Sequence, residues 1–188
     1  MATPKELLLD PDKIVEQYLD PDKEYEFVDG KWEEKVMAGA RHSGVGTRLL
    51  IKMGVHVEAN NLGALYGADG SFTIGKNERI PDISFLSIDR IPAEGEPESI
   101  WPIAPDLAVE VVSPNDVHEK VMSKIYDYFA AGVRQVWLLS PEHKTVTIYH
   151  SPTKTTILTE NDELISEDIL PGFHCQLREI FKNPAQGS

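Results

Sequence analysis

The chain has 188 residues, of which 41% are hydrophobic, a size and composition that suit one globular domain. Its 18 Lys plus Arg face 31 Asp plus Glu, a formal net charge of −13, which argues against a broadly basic nucleic-acid-binding surface. The single cysteine, Cys175, excludes a disulfide framework and a cysteine-rich zinc site.

In chain order, "DPDKIVEQYL" (10–19) reads as a first helix, and "YEFVDGKWEEKVM" (25–37) as a hairpin turning at Asp29-Gly30. "ARHSGVGTRLLIKMGVHVEAN" (40–60) has helical spacing, with Leu49, Met53 and Val57 on one stripe and Gly63 following its end. "ALYGADGSFTI" (64–74) gives two short strands around Asp69-Gly70, and "IPDISFLS" (80–87) a strand opened by Pro81. After a loop over 91–105 comes "DLAVEVVS" (106–113), apolar enough to be a central strand buried on both faces. Residues 116–131 form a helix closed by Gly132, with Asn115 and Asp116 as start residues and Glu119 at capping-box spacing from Asp116. "RQVWLLS" (134–140) is a further strand, "KTVTIYH" and "KTTILT" pair across Ser151-Pro152, and "LPGFHCQLREIF" (170–181) closes the chain. This order predicts one α/β domain with a core over about 10–181, frayed termini and a mixed sheet flanked by helices. No signal pattern opens the chain and no apolar run approaches the ~20 residues of a membrane span, so a soluble, cytoplasmic protein is expected.

One residue breaks the apolar run of 107–112. Glu110 is an ionisable acid in an otherwise oily strand, and a buried carboxylate needs a partner, a proton or a metal. Period-two alternation puts Ala108, Glu110 and Val112 on one face and Leu107, Val109 and Val111 on the other. Asp82, two residues into the preceding strand, would converge with Glu110 if the strands are neighbours. Such a pair of hard oxygen donors suits Mg²⁺ or Mn²⁺.

Pro81-Asp82, a long loop and then Glu110 resemble the PD-(D/E)XK nuclease superfamily. The stretches "YEFVDG", "PDISFLS", "PDLAVEVVSPND", "KIYDYFAAGVRQVWLLSP", "TVTIY" and "LPGF" are similar to one branch of it, the Uma-two family of restriction-endonuclease-like proteins, over residues 24–181. The resemblance implies a restriction-endonuclease-like fold and a Mg²⁺- or Mn²⁺-dependent endonuclease acting on nucleic acid, with DNA the expected substrate, often as a homodimer. It assigns Asp82 and Glu110 as metal ligands and catalytic residues, with the Val111 carbonyl as a further donor and Glu26 as a third metal or water ligand. The alternatives are a structural ion pair of Glu110 with Lys124, a turn cap for Asp82 and a solvated strand glutamate for Glu26. The superfamily lysine would fall at position 112, where this chain has Val112; the branch draws it from the next helix. At about 100° per residue Lys124 lies roughly 60° from Val121, at the edge of the packed arc, whereas Lys120 lies farther toward solvent. Lys124 is therefore the expected catalytic lysine, a snorkelling surface lysine being the alternative.

Other candidates are weighed the same way. His42 faces inward from its helix, either as a satisfied core histidine or as a substrate contact. Arg41, Arg48 and Lys52 share one stripe, a phosphate-binding strip or simply a wet helix face. Trp32 and Trp101 serve an interface or, more simply, the core, and His143, His150 and His174 lack zinc spacing. No GxSxG, GxxxxGK[ST], HExxH or CxxC occurs. The alternative functions are a non-catalytic protein of the same fold that binds DNA or a protein, and a hydrolase of small phosphate esters.

Overall fold

The structure, a computed structural model, describes residues 19–20, 22–35, 39–113 and 116–185. The helix expected over 10–19 lies outside them except for its last position, as does Asn115.

The hairpin forms as β1 (Tyr25–Val28) and β2 (Lys31–Glu34), with Asp29 and Gly30 both at positive φ, 49° and 80°, as the two-residue turn requires. Helix α1 (Ala40–Asn60) buries Val45, Leu49, Met53 and Val57 along one stripe. Its C-terminus is capped by Asn61 in the left-handed region rather than by Gly63, two residues on. Gly63 has a different task. It opens β3 (Gly63–Tyr66) at φ +148°, and a Cβ there would lie 2.1 Å from the backbone oxygen of Leu86. Next come β4 (Phe72–Ile74), β5 (Asn77–Arg79), β6 (Ile83–Ser87), β7 (Leu107–Val111) and α2 (His118–Ala130). The chain continues with β8 (Gln135–Ser140), β9 (Thr145–Ser151), β10 (Lys154–Thr159), β11 (Glu163–Ile165), β12 (His174–Gln176) and α3 (Leu177–Phe181).

Six strands form the main sheet in the order β10-β9-β8-β7-β6-β3. Only β7 and β8 run parallel within it, joined through α2, and its other neighbours are antiparallel. A second sheet has the order β2-β1-β5-β4, and β11 pairs with β12. The predicted α/β class and the central place of β7 both hold. The two strands read over 64–74, however, belong to different sheets.

Alternation along β7 sorts its side chains between two cores. Leu107, Val109 and Val111 pack with the α1 stripe and with Leu177, Ile180 and Phe181 of α3. Ala108 packs with Ile125 and Tyr128 of α2 and with Phe72 and Trp101. Trp101 is therefore a core residue, and Trp32 rests on Phe27 with ring centroids 5.2 Å apart. Gly132 follows α2 at φ +94°, as expected.

Two local expectations are corrected. The N-cap of α2 is Val117, with no side-chain cap hydrogen bond, so Asp116 and Glu119 form no capping box. The Asp116 carboxylate instead accepts the Ser113 N–H at 2.7 Å and the Ser113 hydroxyl at 3.2 Å, a local turn that competes with a cap. Strand β6 begins at Ile83, after Pro81 and Asp82, because proline has no N–H to give to the ladder.

Because Gly63 approaches the Leu86 backbone so closely, Gly63→Ala is expected to lower stability by more than about 1 kcal/mol in urea unfolding. An unchanged midpoint would show that the chain can open there.

Candidate active site

Strands β6 and β7 pair with Ile83 opposite Val109, so the same register carried one residue further sets Asp82 opposite Glu110. The Asp82 Oδ2 takes the place of a backbone acceptor at this point. It receives the Val111 N–H at 2.8 Å, which fixes the carboxylate at the end of the ladder. Asp82 also faces His42 Nε2 at 3.3 Å and Lys35 Nζ at 3.8 Å. Burial alone would raise the Asp82 pKa, but His42, the Val111 N–H and Lys35 together hold it below the usual aspartate value.

Glu110 points to the α2 side of the sheet. Tyr128 donates its hydroxyl to Glu110 Oε1 at 2.5 Å, and the Lys124 ammonium stands 3.5 Å from Oε2. Burial pushes the Glu110 carboxyl above the usual glutamate value. Lys124 opposes that shift, and the negative charges of Asp82 and Glu26 add to it. The two acids that face each other are thus shifted in opposite directions, Asp82 below its usual value and Glu110 above.

Lys124 reaches this position because a second acid holds it. Glu26 Oε1 accepts from Lys124 Nζ at 3.1 Å and from the Ile80 N–H at 3.0 Å, and Glu26 Oε2 accepts from Arg79 Nη1 at 3.2 Å. Burial opposes ionisation of Glu26, but Lys124, the Ile80 N–H and Arg79 keep its pKa below the usual value. Burial likewise works against the charge on Lys124, and Glu110 and Glu26 outweigh it and raise its pKa. Arg79 continues the chain of contacts to Asp127 Oδ2 at 2.5 Å, which also accepts from Asn77 Nδ2 at 3.0 Å.

The sequence-predicted residues Glu26, Asp82, Glu110, Val111 and Lys124, with His42, line one cavity of about 680 Å³. Lys120 stays at its outer wall and pairs with Glu33 at 2.8 Å. His42 is half-buried here rather than in the core. Burial works against its charged form, but Asp82 and a backbone hydrogen bond at Val111 outweigh that and raise its pKa. The expected phosphate strip is not assembled as one. Arg41 pairs with Glu142, Arg48 bonds the Ile180 carbonyl, and Lys52 pairs with Glu179.

Sequence reasoning missed Arg79, Asn77, Asp127 and Tyr128 as members of the site. The first two ride on β5, a three-residue strand that carried no strand signal of its own. Its polar residues at period two, Asn77 and Arg79, were the available sign, and both are buried. Tyr128 lies seven residues after Val121, on the same arc of the helix, so its inward face is legible in the sequence whereas its hydroxyl partner is not.

Only some of these oxygens are free to hold a divalent cation. Among the described residues no three or more His, Cys, Asp or Glu side chains form a ready-made metal cluster. Both oxygens of Glu26 are committed to Arg79, Lys124 and Ile80. What remains is the Asp82 and Glu110 pair at the cavity wall, whose mutual repulsion a cation would relieve. Magnesium is commonly held by one or two carboxylates, with water and substrate phosphate completing its shell. The residues fit an ion of that kind.

Arg79 is 5% exposed at its side chain and faces two carboxylates, so Arg79→Met should leave uncompensated buried charge. A loss of about 3–5 kcal/mol is expected in urea unfolding, much of it recovered when Glu26→Gln is added. A loss below about 1 kcal/mol in the single variant would contradict this pairing.

Comparison with known proteins bears on the family and the fold. The family model of Uma2, described as "Putative restriction endonuclease", matches residues 11–178. The fold is similar to the crystal structure of a "putative nuclease belonging to DUF820" from Anabaena variabilis, with a TM-score of 0.79 and 24% identity over 90% of this chain and 96% of that one. No curated protein matches. Since the family match spans residues 11–178, most of the sequence, the chain belongs to the Uma2 family of restriction-endonuclease-like proteins.

Proposed function

We propose that the protein is a divalent-metal-dependent endonuclease that hydrolyses phosphodiester bonds in nucleic acid, with DNA as the substrate. The observation that carries this reading is the meeting of three groups. Asp82 and Glu110 stand opposite one another at the end of the β6–β7 ladder, and the Lys124 ammonium lies 3.5 Å from Glu110 on the same cavity wall.

In this reading Asp82 and Glu110 hold Mg²⁺ or Mn²⁺, with the Val111 carbonyl as a further donor. The bound ion supplies Lewis-acid polarisation of the phosphate and lowers the pKa of a water. Lys124 offers its N–H groups to the reacting phosphate or to the attacking water, where charge develops. Glu26, expected from the resemblance to join the metal shell, is better suited to aim Lys124, since its oxygens are already engaged. Tyr128 fixes one oxygen of Glu110 and leaves the other turned toward Lys124. His42, held between Asp82 and the Val111 backbone, orients the two groups that would hold the ion. A homodimer would bring two such sites to the two strands of a duplex.

One observation favours the rival reading, a nuclease fold that binds nucleic acid without cutting it. The acids are largely neutralised by amines, and no three-acid cluster stands ready among the described residues. A nicking assay on supercoiled plasmid separates the two. Wild type should convert it to open circles in Mg²⁺ or Mn²⁺ and not in EDTA. Asp82→Asn, Glu110→Gln and Lys124→Met should each slow that reaction by at least about 100-fold. Nicking by Glu110→Gln at the wild-type rate defeats the assignment, and plasmid binding without any nicking favours the rival.

A further inference from the structure

The first turns of α1 present a second face. His42 lines the candidate active site, whereas its neighbour Arg41 lines a separate cavity of about 750 Å³, together with Arg48, Lys144 and Lys182. Two acids share that cavity, and each is already paired: Glu142 with Arg41 at 3.0 Å, and Glu160 with Lys144 at 2.7 Å. Four cations against two anions leave a local positive surplus on a chain whose net charge is −13.

Two details indicate that this charge is built into the fold. Arg48 is half-buried and donates its Nε to the Ile180 carbonyl at 2.7 Å, which anchors the guanidinium by one nitrogen. Among the described residues its Nη atoms make no hydrogen bond. Gly44, one turn earlier, gives the group room, since a Cβ there would come within 3.2 Å of Arg48 Nη1. Lys144 adopts φ 52° in the β8–β9 turn, a left-handed conformation that ordinarily favours glycine or asparagine. The turn thereby sets Lys144 at the cavity wall, where its ammonium pairs with Glu160.

We infer that this cleft is a phosphate subsite that holds the backbone of a nucleic-acid strand beyond the scissile bond. The inference rests on the nuclease reading above and adds the path of the substrate. Arg41 and His42 are consecutive, so a strand leaving the active site passes over the α1 N-terminus and enters the cleft within about 10 Å, the width of a helix. The subsite explains what becomes of the basic stripe of α1. Arg41 and Arg48 join Lys144 and Lys182 from two other elements, while Lys52, paired with Glu179, lies outside the cleft.

The test is fluorescence anisotropy of a labelled single-stranded oligonucleotide of about 15 nucleotides, titrated with full-length protein in EDTA at several salt concentrations. Arg48→Gln and Lys182→Gln should each weaken binding several-fold and lower the log–log salt slope by about 0.7. Lys52→Gln should leave both unchanged. Lys182→Gln removes an exposed side chain, so it stays informative if Arg48→Gln fails to fold. Unchanged affinity and slope in Lys182→Gln, or no binding by wild type, would overturn the subsite. A protein that binds through the cleft but never nicks plasmid would sink the nuclease reading and leave the subsite standing.

Discussion

The ammonium of Lys124 is the interaction on which the site depends. It stands between Glu26 at 3.1 Å and Glu110 at 3.5 Å, two carboxylates from different sheets that would otherwise repel one another in a poorly hydrated space. Taking an unpaired carboxylate out of water costs several kcal/mol. The chain meets that cost with a linked set of contacts, Asp127 to Arg79 to Glu26 to Lys124 to Glu110, and with His42 and Lys35 beside Asp82. Because each member is held by the next, the network fixes the directions of its side chains as well as their charges. That order is what a phosphodiesterase site needs, since its chemistry is mostly positioning and charge stabilisation.

The fold supplies the positions by ordinary means. Alternation along β7 sends Val109 and Val111 to the α1 core and leaves Glu110 on the α2 side. Pro81 delays the start of β6, and the Asp82 side chain takes up the Val111 N–H that the ladder leaves available. Helix α2 buries Ile125 and Tyr128, and this same face sets Lys124 over the sheet. The small sheet built on the β1–β2 hairpin brings in Glu26, and through β5 it brings Arg79.

Much of this was legible because its signals are local. Asp29-Gly30, the α1 stripe and the apolar run of β7 each carry their own period or turn chemistry. Helical geometry alone separated Lys124 from Lys120, and the two do occupy different places, one beside Glu110 and the other beside Glu33. What stayed hidden depends on pairing between distant segments. Strand β5 is too short to announce itself, so Arg79 and its hold on Glu26 could not be foreseen. The Asp116–Glu119 spacing fitted a capping box equally well, yet Asp116 turned back to Ser113. Asp106 gives a further lesson. It is a more deeply buried acid than Glu110, in the same predicted strand, and its compensation is the Ser87 N–H with Arg90 and Arg134. A buried acid by itself therefore signals a partner, and the partner's identity has to come from geometry.

The central claim is that the Asp82 and Glu110 pair is completed by a divalent cation while Lys124 remains held by Glu26. Calorimetric titration of the folded protein with Mn²⁺ tests it most directly. One ion per chain should bind, lost in Glu110→Gln and retained in Glu26→Gln. Binding that survives Glu110→Gln at full strength, or a well-folded wild type that gives no heat, would contradict it.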